Sequence, residues 1–284
     1  MADLDSLPFL ARDFLDEPAG VVHVATQRGC PFPCTYCAAR TYNELYRDVA
    51  RYGRRRSHRS VLDELRGLRR AGKLSYVVFL DDTFTLDRPW VEAFCEHYGQ
   101  ELGQPFSLHA RAEKVDPDLL ERMARAGCFH ITYGVESGSE RIRRKVMRRP
   151  VTNERLEEVF RWTREAGIRV TANYMLGLPE ETPEDLEATF ALHDRLDPDD
   201  FGYFVFYPYP GTRLFQVCRE RGYLPEDWMT RPANHRESIL SLPELTREDI
   251  AQAYDRFTAI RERDWRRRSP DADTRHVWET ARTG

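Results

Sequence analysis

The chain has 284 residues, 41% of them hydrophobic and 32% charged, with 43 Lys and Arg set against 47 Asp and Glu for a formal net charge of -4. That apolar content can fill a sizeable core, the near-neutral balance excludes a strong overall attraction to polyanions, and the length suits an α/β barrel folding as one unit. The basic runs "RYGRRRSHR", "RIRRKVMRR" and "RERDWRRR" are separated by acidic stretches and read as solvated helix faces and loops, so nucleic acid is not an expected partner.

The first segment, residues 1–19, has no basic stretch leading into an apolar one, and nowhere does an uninterrupted apolar run reach about 18 residues. No membrane contact and a cytoplasmic location are therefore expected. The first strand is predicted at "GVVHVAT", and directly after it "RGCPFPCTYC" places Cys30, Cys34 and Cys37 within eight residues. Then helical periodicity alternates with short β-branched or aromatic runs. The helices are predicted at "RSVLDELRGLRRAG", "RPWVEAFCEHYGQEL", "DPDLLERMARAG", "TNERLEEVFRWTREAG" and "TPEDLEATFALHDRL", and the strands at "SYVVFLD", "PFSLHAR", "HITYGVE", "IRVTANYML" and "GYFVFYPY". Three helices end in "AG", where a left-handed glycine would stop the helix before the next strand. The alternation predicts a parallel sheet of six strand–helix units. Right-handed crossovers bring all the strand C-termini to one edge, so the cysteine loop and the segments "DDTFT", "ARAEK", "ESGSE", "GLPEET" and "PYPGT" should line the mouth of a barrel or partial barrel. The βα rhythm stops near residue 225, and "TREDIAQAYDRFTAIRERDWRRR" predicts a closing helix before a polar tail.

In a reducing compartment three cysteines this close read as a metal or redox site, not a disulfide framework. A four-iron cluster takes one thiolate per iron, so three thiolates leave one iron open to a chelating ligand. "CTYC" alone would be a redox pair, but that leaves Cys30 unexplained. A structural zinc completed by His23 or His58 would usually need a second cysteine clip, which the sequence lacks.

On this C-x-x-x-C-x-φ-C pattern, with Tyr36 as the aromatic φ, the chain resembles the radical S-adenosylmethionine (SAM) superfamily. "VVFLDDTFTLDR", "YGVESGSE", "MLGLPEET" and "YPYPGT" are similar to the second, fourth, fifth and sixth strand ends of its cobalamin-associated and related branches, so the resemblance runs from about Val21 to Leu224. It implies a partial (β/α)6 TIM-like barrel over residues 20–224, with a C-terminal helical extension and tail over 225–284. It implies a [4Fe-4S] cluster on Cys30, Cys34 and Cys37, and SAM chelating the open iron. One electron, from a donor such as flavodoxin or ferredoxin, would cleave SAM to methionine and a 5′-deoxyadenosyl radical that abstracts hydrogen from the substrate. Carried over by position, Tyr36 packs by the adenine, Asp82 with Thr83 lies near the methionine amino group, and Glu136 and Ser137 suit the ribose hydroxyls. Either Arg111 or Glu113 would meet the SAM carboxylate, and Lys145, Arg148 and Arg149 are basic residues within reach of it or of an anionic substrate. Cys95, Cys128 and Cys218 share no clip, so an auxiliary cluster is not expected. Cys128 and Cys218 are the candidates for a thiol that returns hydrogen to a product radical; the alternative is a core role.

"LDSLPFLARDFLD" resembles the linker that precedes the core in the cobalamin-dependent branch. Only 29 residues precede Cys30, too few for a cobalamin domain of roughly a hundred residues. The favoured expectation is therefore a cobalamin-independent enzyme acting on a small molecule such as a sugar, aminocyclitol or nucleoside, by epimerisation, dehydrogenation or elimination. The alternatives are methyl transfer with cobalamin held by a separate chain, modification of RNA or protein, and a non-catalytic metal protein.

Overall fold

The computed structural model describes residues 3–11, 20–48 and 53–268. Six strands form one parallel sheet in sequential order: β1 (Val21–Val24), β4 (Tyr76–Phe79), β5 (Phe106–Ala110), β6 (Cys128–Glu136), β7 (Arg169–Leu176) and β8 (Asp200–Val205). The sheet curls into a half-barrel backed by α2 (His58–Arg70), α3 (Arg88–Glu101), α4 (Pro117–Ala126), α5 (Asn153–Glu165) and α6 (Pro183–Leu196), the partial TIM-like architecture expected. α7 (Arg213–Glu220) follows β8, and α8 (Arg247–Arg268) packs against β7 and β8 as the predicted closing helix. The tail from residue 269 lies outside the described residues.

The helix stops fall where the "AG" pairs place them. Gly72, Gly127 and Gly167 all have positive φ (69°, 108° and 76°), a conformation that costs a glycine little. Starts are equally local: Asp116 accepts from Leu119 N ahead of Pro117, and Thr182 with Asp185 closes a reciprocal capping box at α6.

Side chains on the sheet alternate between two surroundings. Val22, Val24, Phe79, Leu108, Ile131, Tyr133, Tyr174 and Tyr203 face the helices and are buried; around Phe79, the rings of Phe84, Phe94, Tyr98 and Phe106 pack edge to face or tilted at centroid distances of 4.9–6.5 Å. The opposite face carries His23, Val78, His109, Thr132, Asn173 and Gly202 at intermediate or exposed positions. A parallel sheet covered on both faces reads as a continuous apolar run; the alternation here belongs to an open inner surface.

Several elements escaped the sequence reading. β2 (Gln27–Arg28) pairs antiparallel with β3 (Arg54–Arg55), α1 (Ala38–Leu45) follows the cysteines, a π-helical turn spans Ile142–Val146, and α7 was not expected as a helix. They are short or lack a buried stripe, so periodicity gives no signal for them; α1 has no buried residue at all.

Candidate functional site

The cysteine loop leaves the C-terminal end of β1 and is fastened at both ends. On the near side, Asp81 at the end of β4 accepts from Thr26 N and Gln27 N, each at 2.8 Å, and from Thr26 Oγ1 at 2.5 Å. Gln27 Nε2 in turn donates to Thr83 O at 3.1 Å. On the far side, Thr35 donates through Oγ1 to Val146 O at 2.6 Å and through N to Met147 O at 3.2 Å, while Leu214 N donates to Thr35 O at 3.0 Å. Gly29, with φ of 84°, makes the turn into the loop. Cys30 and Cys34 are buried and Cys37 is half-buried as the N-cap of α1, its sulfur accepting from Ala39 N at 3.4 Å. The loop therefore needs little reorganisation to present three sulfurs.

Among the described residues, no three Cys, His, Asp or Glu side chains converge closely enough to hold a single metal ion. His58 is also committed elsewhere, its Nε2 lying 2.9 Å from Trp90 O. Burial pushes the Cys30 and Cys37 thiols up. Three thiols on one fastened segment suit a cluster that takes one thiolate per iron.

Around the sulfurs the other strand ends supply a charged ring. Arg111, just after β5, donates through Nη1 to Cys34 Sγ at 3.3 Å and through Nη2 to Glu113 Oε1 at 2.7 Å. Burial pushes the Glu113 carboxyl up, but the positive charges of Arg111 and Arg149 outweigh it and hold the group below its ordinary range. Tyr36 OH donates to Glu136 Oε1 at 3.1 Å, and Arg149 Nη1 lies 3.6 Å from the same oxygen while its Nη2 donates to Gly134 O at 2.6 Å. Burial raises both Tyr36 and Glu136 above their ordinary values. Thr83 Oγ1 stands 3.7 Å from Cys30 Sγ, and Asp82 is an exposed carboxyl at the mouth, pushed up by partial desolvation.

Most of the expected site residues thus surround the cysteine loop: Tyr36, Asp82, Thr83, Arg111 and Glu136, with Glu113 beside Arg111. Three do not. Ser137 is fully buried and turned away, its hydroxyl 3.4 Å from Thr189 Oγ1 on α6 and accepting from Ser139 N, so it holds a turn and does not face the mouth. Cys128 opens β6 at the opposite edge of the sheet, and its buried thiol lies 3.9 Å from His130 O. Cys218 sits inside α7 with no exposure, its thiol pushed up to about 12 by burial. Neither sulfur reaches the inner surface, so both are core residues and the hydrogen-donor expectation fails for each. Of the nearby basic residues, Arg149 reaches the ring while Lys145 and Arg148 stay exposed. Asp81, Thr26 and Thr35 were missed, because fastening a loop leaves no motif in sequence.

The inner surface below this ring is polar. Gly134, Asn173 and Gly202 are register partners on β6, β7 and β8. A Cβ on Gly202 would stand 2.6 Å from Asn173 Oδ1, so the asparagine amide occupies space that only a glycine there leaves free. His109 and Thr132 are register partners one step further down, and His130 Nε2 lies 2.7 Å from Thr171 Oγ1.

Residues 24–193 match the family model of the radical SAM superfamily, more than half of the chain. The chain belongs to the radical SAM superfamily. That membership agrees with the [4Fe-4S] cluster and SAM expected from the cysteine spacing. It is 27% identical to an uncharacterised methyltransferase of Pyrococcus horikoshii across 88% of this chain and 54% of the relative. It is 30% identical to the anaerobic magnesium-protoporphyrin IX monomethyl ester cyclase of Cereibacter sphaeroides across 74% of this chain and 34% of that one. In fold it resembles the radical SAM methyltransferase TsrM of Kitasatospora setae, solved with cobalamin and a [4Fe-4S] cluster, with a TM-score of 0.61 and 20% identity over 71% of this chain and 40% of the other. The chain thus spans about half or less of the length of these relatives.

Among the described residues, no helix is long and apolar enough to cross a membrane.

Proposed function

We propose that this chain is the radical SAM core of a cobalamin-associated methyltransferase acting on a small molecule, with the cobalamin carried by a segment or chain outside this sequence. This replaces cobalamin-independent hydrogen abstraction from a sugar, aminocyclitol or nucleoside as the favoured reading. The observation that carries it is the match to a methyltransferase over 88% of the chain, beyond the limits of the family model and into the C-terminal extension. The cluster, when bound, supplies the electron that makes SAM reactive, delivered by a small electron-transfer protein.

The protein's own residues orient and shield. Cys30, Cys34 and Cys37 would hold the cluster, which would supply an open iron for the amino and carboxylate groups of SAM. Asp82 is available to the amino group, and Glu136, fixed by Tyr36 and Arg149, to the ribose. Asn173, His109 and Thr132 give the substrate hydrogen-bonding partners on the inner surface, and the mouth excludes water once covered. Ring formation or another hydrogen-abstraction outcome is the second reading, favoured by the 30% identity to the cyclase.

Anaerobically reconstituted protein tests both. With SAM, reductant and hydroxocobalamin, methyl transfer predicts stoichiometric cobalamin binding and S-adenosylhomocysteine among the products. Formation of 5′-deoxyadenosine with no retention of cobalamin would overturn it in favour of the second reading.

A further inference from the structure

Arg111 occupies a different position from the one its motif suggests. Its guanidinium lies 3.9 Å above the ring centroid of Phe32, Nη1 donates to Cys34 Sγ, Nη2 donates to Glu113, and the side chain is only 7% exposed. Nε is buried with no partner among the described residues. Phe32 and Cys34 belong to the cysteine loop, whereas Arg111 and Glu113 follow β5, so the arginine is clamped between two segments with its charge against a cluster ligand. Such a group is preorganised: moving it would break a stack, an ion pair and a hydrogen bond together.

We propose that Arg111 tunes the reduction potential of the cluster through its hydrogen bond to the Cys34 sulfur; this rests on the assignment of the cluster to these cysteines. An external donor loses one electron and the cluster gains it, and the added negative charge spreads onto the sulfurs. A fixed cation donating to one of them stabilises the reduced form more than the oxidised form and raises the potential. Glu113 partly cancels that cation and so lowers the potential. The pair sets the poise at which SAM cleavage becomes accessible, and Arg111 acts through Cys34 without itself needing to touch SAM.

The test is an EPR-monitored titration of the reconstituted protein with dithionite and mediators, with SAM omitted. Arg111→Gln should lower the midpoint by about 59 mV, a tenfold fall in the reduced-to-oxidised ratio at fixed poise. Glu113→Gln keeps the arginine and should shift the midpoint upward. An unchanged midpoint in Arg111→Gln at full iron and sulfide content overturns the proposal, as does a downward shift in Glu113→Gln. Should Arg111→Gln fail to hold a cluster, the sign of the Glu113→Gln shift decides. A wild-type protein that assembles no reducible cluster would instead overturn the assignment on which the proposal rests.

Discussion

Tyr36 and Glu136 meet across 100 residues of sequence, the phenol of the cysteine loop donating to Oε1 of the carboxyl that ends β6 at 3.1 Å. Glu136 pays for that position with a left-handed backbone, φ 69°, at a register shift between β6 and β7. Gly134 makes room for it, since a Cβ there would stand 2.2 Å from Glu136 Oε1. A tyrosine, an arginine and a glycine thus fix the place of this carboxyl beside the cysteine loop.

Glu136→Gln should therefore weaken SAM binding by about 10- to 100-fold, the range for losing a hydrogen bond to a charged group, with iron and sulfide content unchanged. Tyr36→Phe keeps the carboxyl and should cost less, about tenfold or under. Equilibrium dialysis with labelled SAM measures both. Wild-type affinity in Glu136→Gln would leave the carboxyl a structural role alone.

The six cysteines divide by position. Replacing Cys30, Cys34 and Cys37 with alanine should abolish the brown absorbance and the bound iron and sulfide, about four of each per chain in the wild type. Cys95→Ala, Cys128→Ala and Cys218→Ala should keep the cluster, since all three thiols are buried away from the loop. Iron and sulfide assays on each variant check this, and cluster loss in Cys128→Ala would contradict the placement of that thiol.

Glu181 predicts a pH dependence of stability. It is fully buried, accepts from Gly177 N at 2.6 Å and Leu178 N at 3.1 Å through Oε2, and has no partner for Oε1 among the described residues. Burial pushes its carboxyl from an ordinary 4.5 to about 8. The folded state then holds a proton that the unfolded chain has released, so this group's contribution is full below pH 4.5 and is lost as pH rises toward 8. Glu181→Gln removes this term, and its Tm should fall less than that of the wild type between pH 5 and pH 8 in a scanning fluorimetry series. Parallel curves would show that the two backbone donors already keep the carboxylate charged at pH 5.

The strand–helix rhythm and the cysteine loop at the first strand's end were legible because both are local. A helix stop needs one glycine at the right φ, and the three cysteines lie inside one short loop. The site around them was legible only in part. Strand ends could be assigned to the mouth, yet the direction of each side chain there depends on register and on irregularities such as the shift at Glu136. Glu136 and Ser137 are neighbours in sequence, but one faces the cysteine loop and the other packs on α6.

By itself, the sequence determined a parallel α/β chain with three thiolates at the C-terminal end of its first strand, since residue chemistry and periodicity are written in the order of the residues. Tertiary structure decided which groups those thiolates meet. It set Arg111 against Cys34, closed Asp81 onto Thr26, and left Cys128 at the far edge of the sheet, because contacts between segments arise only when the strands take up their shared register.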